Sequence, residues 1–92
     1  MYLNRTGIAK MFDVSLATVA RRVTGIESEM GKRYNNYAVL DRLVSVAVYA
    51  DYEKYHKLLD NKNTRKYVPD FNMQEAQRYI IEREKEVHTV ES

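Results

Sequence analysis

Apolar residues recur at helical spacing over Ile8, Ala9, Met11 and Phe12, stop at Asp13, and resume behind Ser15 over Leu16, Val19 and Val23. Asn4 and Ser15 are favoured N-caps, so the pattern predicts two helices of about two turns, joined by a tight break at Asp13-Val14. Ile8, Phe12 and Val14 are spaced to form a small core with Val19 and Val23, with Leu3 stapled onto the first helix. Thr24-Gly25 reads as the end of the second helix. Ile26 to Tyr34 fits a small hairpin with its tip at Glu29-Met30-Gly31-Lys32. The longest periodic stretch follows. No glycine or proline interrupts the chain from Tyr34 to Val68, which predicts a third helix over Tyr37–Leu59, ~35 Å long at ~1.5 Å per residue. The alternation Val44-Val46-Val48 also permits a buried strand. Asp60 to Asp70 is a polar linker carrying Lys62, Arg65 and Lys66. Beyond Pro69, Asn72-Met73-Gln74-Glu75 has the form of a capping box. It opens a C-terminal helix of about fourteen residues with Met73, Ala76, Ile80 and Val87 on one face, and residues 89–92 are expected to fray.

Two short helices around a tight turn, with basic residues on the second, make a helix-turn-helix. Core packing of Val19 and Val23 leaves Ala17, Thr18 and Arg21 on the outer face, with Arg22 at its edge. Those residues are the candidates for base-edge contact. Ser15 caps the helix, and the N-terminus it opens suits a phosphate. Lys32 and Arg33, on the expected wing, are candidates for the phosphate backbone. Gly7 marks a close approach of backbone, read as packing. Tyr34 is expected to bury its ring, and Tyr49, Tyr52 and Tyr55 belong to a core or interface stripe rather than a base-stacking platform.

The order "LNRTGIAKMFDVSLATVARRV", followed by "GKRYNNYAVLDRLV", resembles the small winged helix-turn-helix domains of the MerR and phage-excisionase type. It is also similar to the DNA-binding domain of lambda-type small terminase subunits. The resemblance covers roughly the first half of the chain and implies a wing, a following "RY" strand and a third helix. Glu27 and Glu29 beside the expected wing, and Arg22 where an aromatic often follows the recognition-helix arginine, depart from that pattern. The fold expected is therefore mainly α: a winged helix-turn-helix with a small β-hairpin wing, a long third helix and a C-terminal helix. Residues 1–60 form the DNA-binding domain, 61–72 a linker, and 73–88 a helix for packing or dimerisation.

Composition narrows the chemistry. The 92 residues suit one domain, and the absence of cysteine excludes disulfides and thiolate metal sites. No apolar run approaches a membrane span and no signal-peptide pattern is present, so a cytoplasmic protein is expected. Net charge is +2, unevenly spread. Residues 1–36 hold six Lys/Arg against three acids, residues 37–68 six against four, and residues 69–92 three against six. The basic excess thus falls on the expected DNA-facing elements. His56 and His88 have no metal-ligand spacing, Ser15 and Ser45 have no nearby base, and no glycine-rich phosphate loop exists. No enzyme activity, cofactor, metal or small-molecule substrate is expected.

The function expected is sequence-specific binding of double-stranded DNA in a phage or mobile element, as an excisionase-like architectural factor or a small transcriptional regulator. A small terminase subunit for DNA packaging and a protein-interaction module are the alternatives. Because Tyr52, Tyr55, Leu58 and Leu59 need a cover, the C-terminal helix is expected to fold back or to pair between subunits, and a homo-oligomer through that half is favoured.

Overall fold

The computed structural model describes residues 1–85 in full and the backbone alone over 86–91. The expectations placed on Val87, His88 and residues 89–92 fall outside the fully described residues. The chain is mainly helical with a small antiparallel sheet. In order, it forms β1 (Tyr2–Asn4), α1 (Arg5–Phe12), α2 (Leu16–Ser28), β2 (Val39–Leu40), β3 (Leu43–Ser45), α3 (Val46–Leu59), α4 (Lys62–Arg65) and α5 (Met73–Glu91).

Both expected caps are present. Asn4 Oδ1 accepts from the Gly7 amide at 2.8 Å, and Ser15 Oγ accepts from the Thr18 amide at 3.1 Å. Between the helices, Asp13 takes a left-handed φ of 54°, which aspartate tolerates better than most residues. Val14 then donates to the Ala9 carbonyl at 3.0 Å, closing the end of α1 in the manner of a Schellman motif. That turn sets α1 across α2. Ile8, Phe12, Val19 and Val23 meet in the core, with Val14 half-buried beside them.

Three boundaries differ from the expectation. First, α2 does not end at Gly25. It runs to Ser28 because Ile26 continues the Val19–Val23 stripe and is fully buried. Gly25 lies inside the helix where Tyr52 of α3 crosses, and a Cβ there would overlap the Tyr52 ring and hydroxyl. Second, the hairpin expected over Ile26–Tyr34 is not there. Glu29 to Tyr34 is a tight turn, with Gly31 at φ 82° and the Tyr34 amide donating to the Glu29 carbonyl at 3.2 Å. Third, the long helix starts at Val46, not Tyr37. The hairpin lies in the preceding stretch, β2 paired with β3 as Leu40↔Leu43 and Val39↔Val44 around Asp41-Arg42. Asp41 supplies the positive φ, 56°, that such a two-residue turn requires.

β3 is central, in the order β1-β3-β2. The Leu3↔Val44 and Val39↔Val44 pairs put one apolar file towards the core, whereas Asn4, Leu43 and Leu40 face outwards. Leu3 is thus a strand residue. It still packs by the first helix, since a Cβ on Gly7 would meet the Leu3 side chain at 3.2 Å. Every residue from Val44 to Tyr52 is buried, because α2, the sheet and α5 cover the first half of α3 from different sides.

The expected 61–72 linker contains the short α4. Asn72 caps α5, accepting from the Glu75 amide at 3.0 Å. The capping box is only half made, since Glu75 turns to Lys54 and Tyr55 of α3 instead. α5 folds back along α3 within the same chain, burying Ala76 and packing Tyr79 and Ile80 against the core. Among the described residues, no helix is long and apolar enough to cross a membrane.

Candidate nucleic-acid interface

The solvent face of α2 follows from which of its residues are buried. Val19, Val23 and Ile26 point inwards, so Leu16, Ala17, Ala20, Arg21 and Thr24 form a continuous exposed stripe. No carboxylate lies on α2 before Glu27. The stripe is preorganised at its start. Ser15 Oγ donates to Thr18 Oγ1 at 3.0 Å while accepting the Thr18 amide, and Arg21 Nη2 reaches the same Thr18 oxygen at 3.5 Å. Ser15, Ala17 and Arg21 are exposed and Thr18 half-exposed, so these four candidates share one surface.

Arg22 and Arg33 are not on it. Arg22 turns towards α3, donating to Glu53 Oε1 and to the Tyr49 hydroxyl, each at 3.1 Å; its side chain is 19% exposed. Glu53 also receives Arg83 Nε at 3.1 Å and the Tyr79 hydroxyl at 3.0 Å, and Arg83 extends to the Phe12 carbonyl at 2.6 Å. One buried carboxylate thereby joins α2, α3 and α5, and Arg83 carries the tie on to α1. Arg33 grips Asp51 through two nitrogens, each at 2.8 Å, and donates to the Pro69 carbonyl at 2.6 Å; its side chain is 8% exposed. The Tyr34 hydroxyl donates to the same Asp51 at 2.6 Å, so Tyr34 buries its ring as expected. Burial and the Asp51 bond push the Tyr34 phenol pKa well above its ordinary value. Lys32 is exposed, but it stands past the C-terminal end of α2, in a cleft with Arg65, Val68 and Phe71.

Glu29, expected to put negative charge beside the wing, is buried against Arg65, and the Arg65 hydrogen bond holds its carboxyl below the usual range. Two basic residues that the sequence reading passed over do face the α1–hairpin side. Arg42 occupies the turn of the hairpin, and it lines one crevice with Asn4, Arg5 and Thr6 at the start of α1. Arg5 and Arg42 have no carboxylate partner among the described residues. The missed signal was the pair Asp41-Arg42, a turn-forming aspartate and a cation between two apolar couples, Val39-Leu40 and Leu43-Val44. Neither α1 nor α2 has an acid in its first turn, so the positive ends of both helices are uncompensated by carboxylates of their own. Among the described residues no cluster of His, Asp or Glu has the makings of a metal site. No family model matches the chain, and no curated protein or solved structure matches it.

Proposed function

We propose that this chain is a winged helix-turn-helix protein that binds double-stranded DNA through α2, as a small regulator or architectural factor of a phage or mobile element. One observation carries the reading. A capped helix presents an outer face with no carboxylate from Leu16 to Ile26, and a hairpin displays Arg42 across a crevice from Arg5 at the start of α1. In the binding geometry, α2 enters the major groove with its N-terminal half towards the bases, and Arg21 pairs with guanine. Arg42 and Arg5 contact phosphates, with the α1 N-terminus alongside. The β2–β3 hairpin is the wing, in place of the segment around Lys32.

Two features favour this reading over its rivals. A protein-interaction role rests on Glu27, Glu29 and the low net charge of +2, and of these Glu29 is occupied by Arg65. The packaging alternative assigns assembly to the C-terminal helix, and α5 packs along α3 of its own chain. Pairing through the C-terminal half loses its motive for the same reason, so the binding unit is taken as one chain.

The test is a titration of the full chain on duplex DNA at several salt concentrations. Arg42→Ala should weaken all sequences alike and lower the slope of log affinity against log salt by about one. Arg21→Ala should weaken the preferred sequence more than random DNA, by about 1–3 kcal/mol. Salt-independent absence of binding to any duplex would reject the reading.

A further inference from the structure

Resting on the DNA-binding reading, we propose that Leu16 reads thymine 5-methyl groups, so that the preferred site is thymine-bearing rather than defined by Arg21 alone. The face of α2 is unusual in what it exposes. Leu16 is 55% exposed at the first position of the helix. One turn on, Ala20 lies directly behind it, and Ala17 and Thr24 fill the middle of the stripe. A lone exposed leucine needs no explanation. Here, however, it begins a stripe whose next members, Ala17, Ala20 and Thr24, are small, with Arg21 its single cation along the opposite edge and Glu27 only at its far end.

The chemistry follows from those residue types. Alanines at positions 17 and 20 let the helix backbone approach the groove floor, because no long side chain stands between. Within the major groove, the thymine methyl is the apolar feature of the base edges, and alkyl side chains recognise it by contact. Leu16 sits in the N-terminal part of the helix, where recognition helices reach bases. Arg21 is held towards Thr18 and so addresses a different position along the groove. A binding site of this kind carries at least one thymine read by Leu16, offset from a guanine read by Arg21.

Deoxyuridine differs from thymidine by that methyl alone and tests the assignment directly. Duplexes are first selected from a randomised pool with the full chain, and the winner is resynthesised with deoxyuridine replacing one thymine at a time. One or two positions should lose about fourfold in affinity each, the factor for one methyl-sized group removed from water. Leu16→Ala should bind the thymine duplex more weakly and lose that sensitivity, whereas Arg21→Ala should keep it. Leu16 is exposed, so the variant should melt as the parent does. If the selected duplex binds tightly but tolerates deoxyuridine throughout, the methyl assignment is overturned and DNA binding stands. Undiminished sensitivity in Leu16→Ala also overturns it. Failure to select any duplex counts against the DNA-binding reading itself, and the methyl assignment goes with it.

Discussion

Two carboxylates two positions apart on α3, Asp51 and Glu53, decide which arginines remain for other work. Helical geometry sends them to different sides, Asp51 towards Arg33 and Tyr34, Glu53 towards Arg22 and Arg83. Two of the expected DNA contacts are thereby turned into internal ties. The Arg33–Asp51 pair is bidentate and more than nine-tenths buried on both sides. Removing one member leaves an uncompensated buried charge, so Arg33→Ala should cost about 3–5 kcal/mol in urea unfolding. Arg33→Ala combined with Asp51→Leu should recover part of that loss. A stable Arg33→Ala protein with weakened DNA binding would restore Arg33 to the interface. Titration follows from the same contacts. Glu29 has a lowered pKa, so its contribution is present above its ordinary value of 4.5 and is lost as pH falls through the folded value. Tyr34, Tyr49 and Tyr52 have raised pKa values, chiefly from burial. Their contribution is complete below the unfolded value of 10.0 and declines as pH rises past it. Thermal midpoints should form a plateau between those limits. Arg65→Ala should flatten the acid side and leave the alkaline side unchanged.

At the scale of elements, what could be read in advance was whatever depended on neighbours in sequence. Asn4, Ser15 and Asn72 act as caps because each needs only an amide three residues on. The Ile8–Phe12–Val19–Val23 core was legible from spacing, and so was the exposed face bearing Ala17, Thr18 and Arg21. What failed depended on partners far along the chain. Gly25 has the look of a stop, but the reason for glycine is Tyr52, 27 residues later, crossing α2 at that point. Arg22 and Arg33 look like free cations until α3 brings Glu53 and Asp51 to them. The hairpin was hidden because Asp41-Arg42 lacks glycine or asparagine, and because Val44 matches the helical stripe as well as the strand alternation. Gly25→Ala separates the two meanings of that glycine. As an exposed helical position it should gain about 1 kcal/mol from propensity. As a crossing point it should instead lose about 1–3 kcal/mol to overpacking. Loss is expected in urea unfolding, reduced when Tyr52→Phe is added because the hydroxyl is the atom that comes nearest.

For the whole molecule, the fold-back of α5 makes the N-terminal module dependent on the C-terminal helix. The sequence suggested a DNA-binding domain over residues 1–60, with a C-terminal helix joined to it by a linker. The structure gives a different expectation. Ending at Val68 removes the Pro69 carbonyl from Arg33, the Phe71 edge from the Tyr34 ring, and Glu75 from Lys54 and Tyr55. It also removes Arg83, which joins Glu53 to the Phe12 carbonyl at the end of α1. Glu53, 8% exposed when α5 is in place, would keep Arg22 but lose Arg83 and Tyr79. The apolar side of α3 that Ala76, Tyr79 and Ile80 cover would meet water. Small domains hold only about 5–15 kcal/mol in total, and a chain of that reduced length buries a smaller share of its surface. The shortened chain should therefore lose cooperative unfolding by circular dichroism. Its DNA affinity should fall with it, because the α1–α2 angle rests on the same network. The full chain should elute as a monomer near 10.9 kDa in light scattering without DNA. A shortened chain that melts cooperatively at the parental midpoint and binds the same duplex would show that α5 is a bystander. A full chain that elutes as a dimer, with α5 variants breaking it, would mean that α5 also serves a second copy.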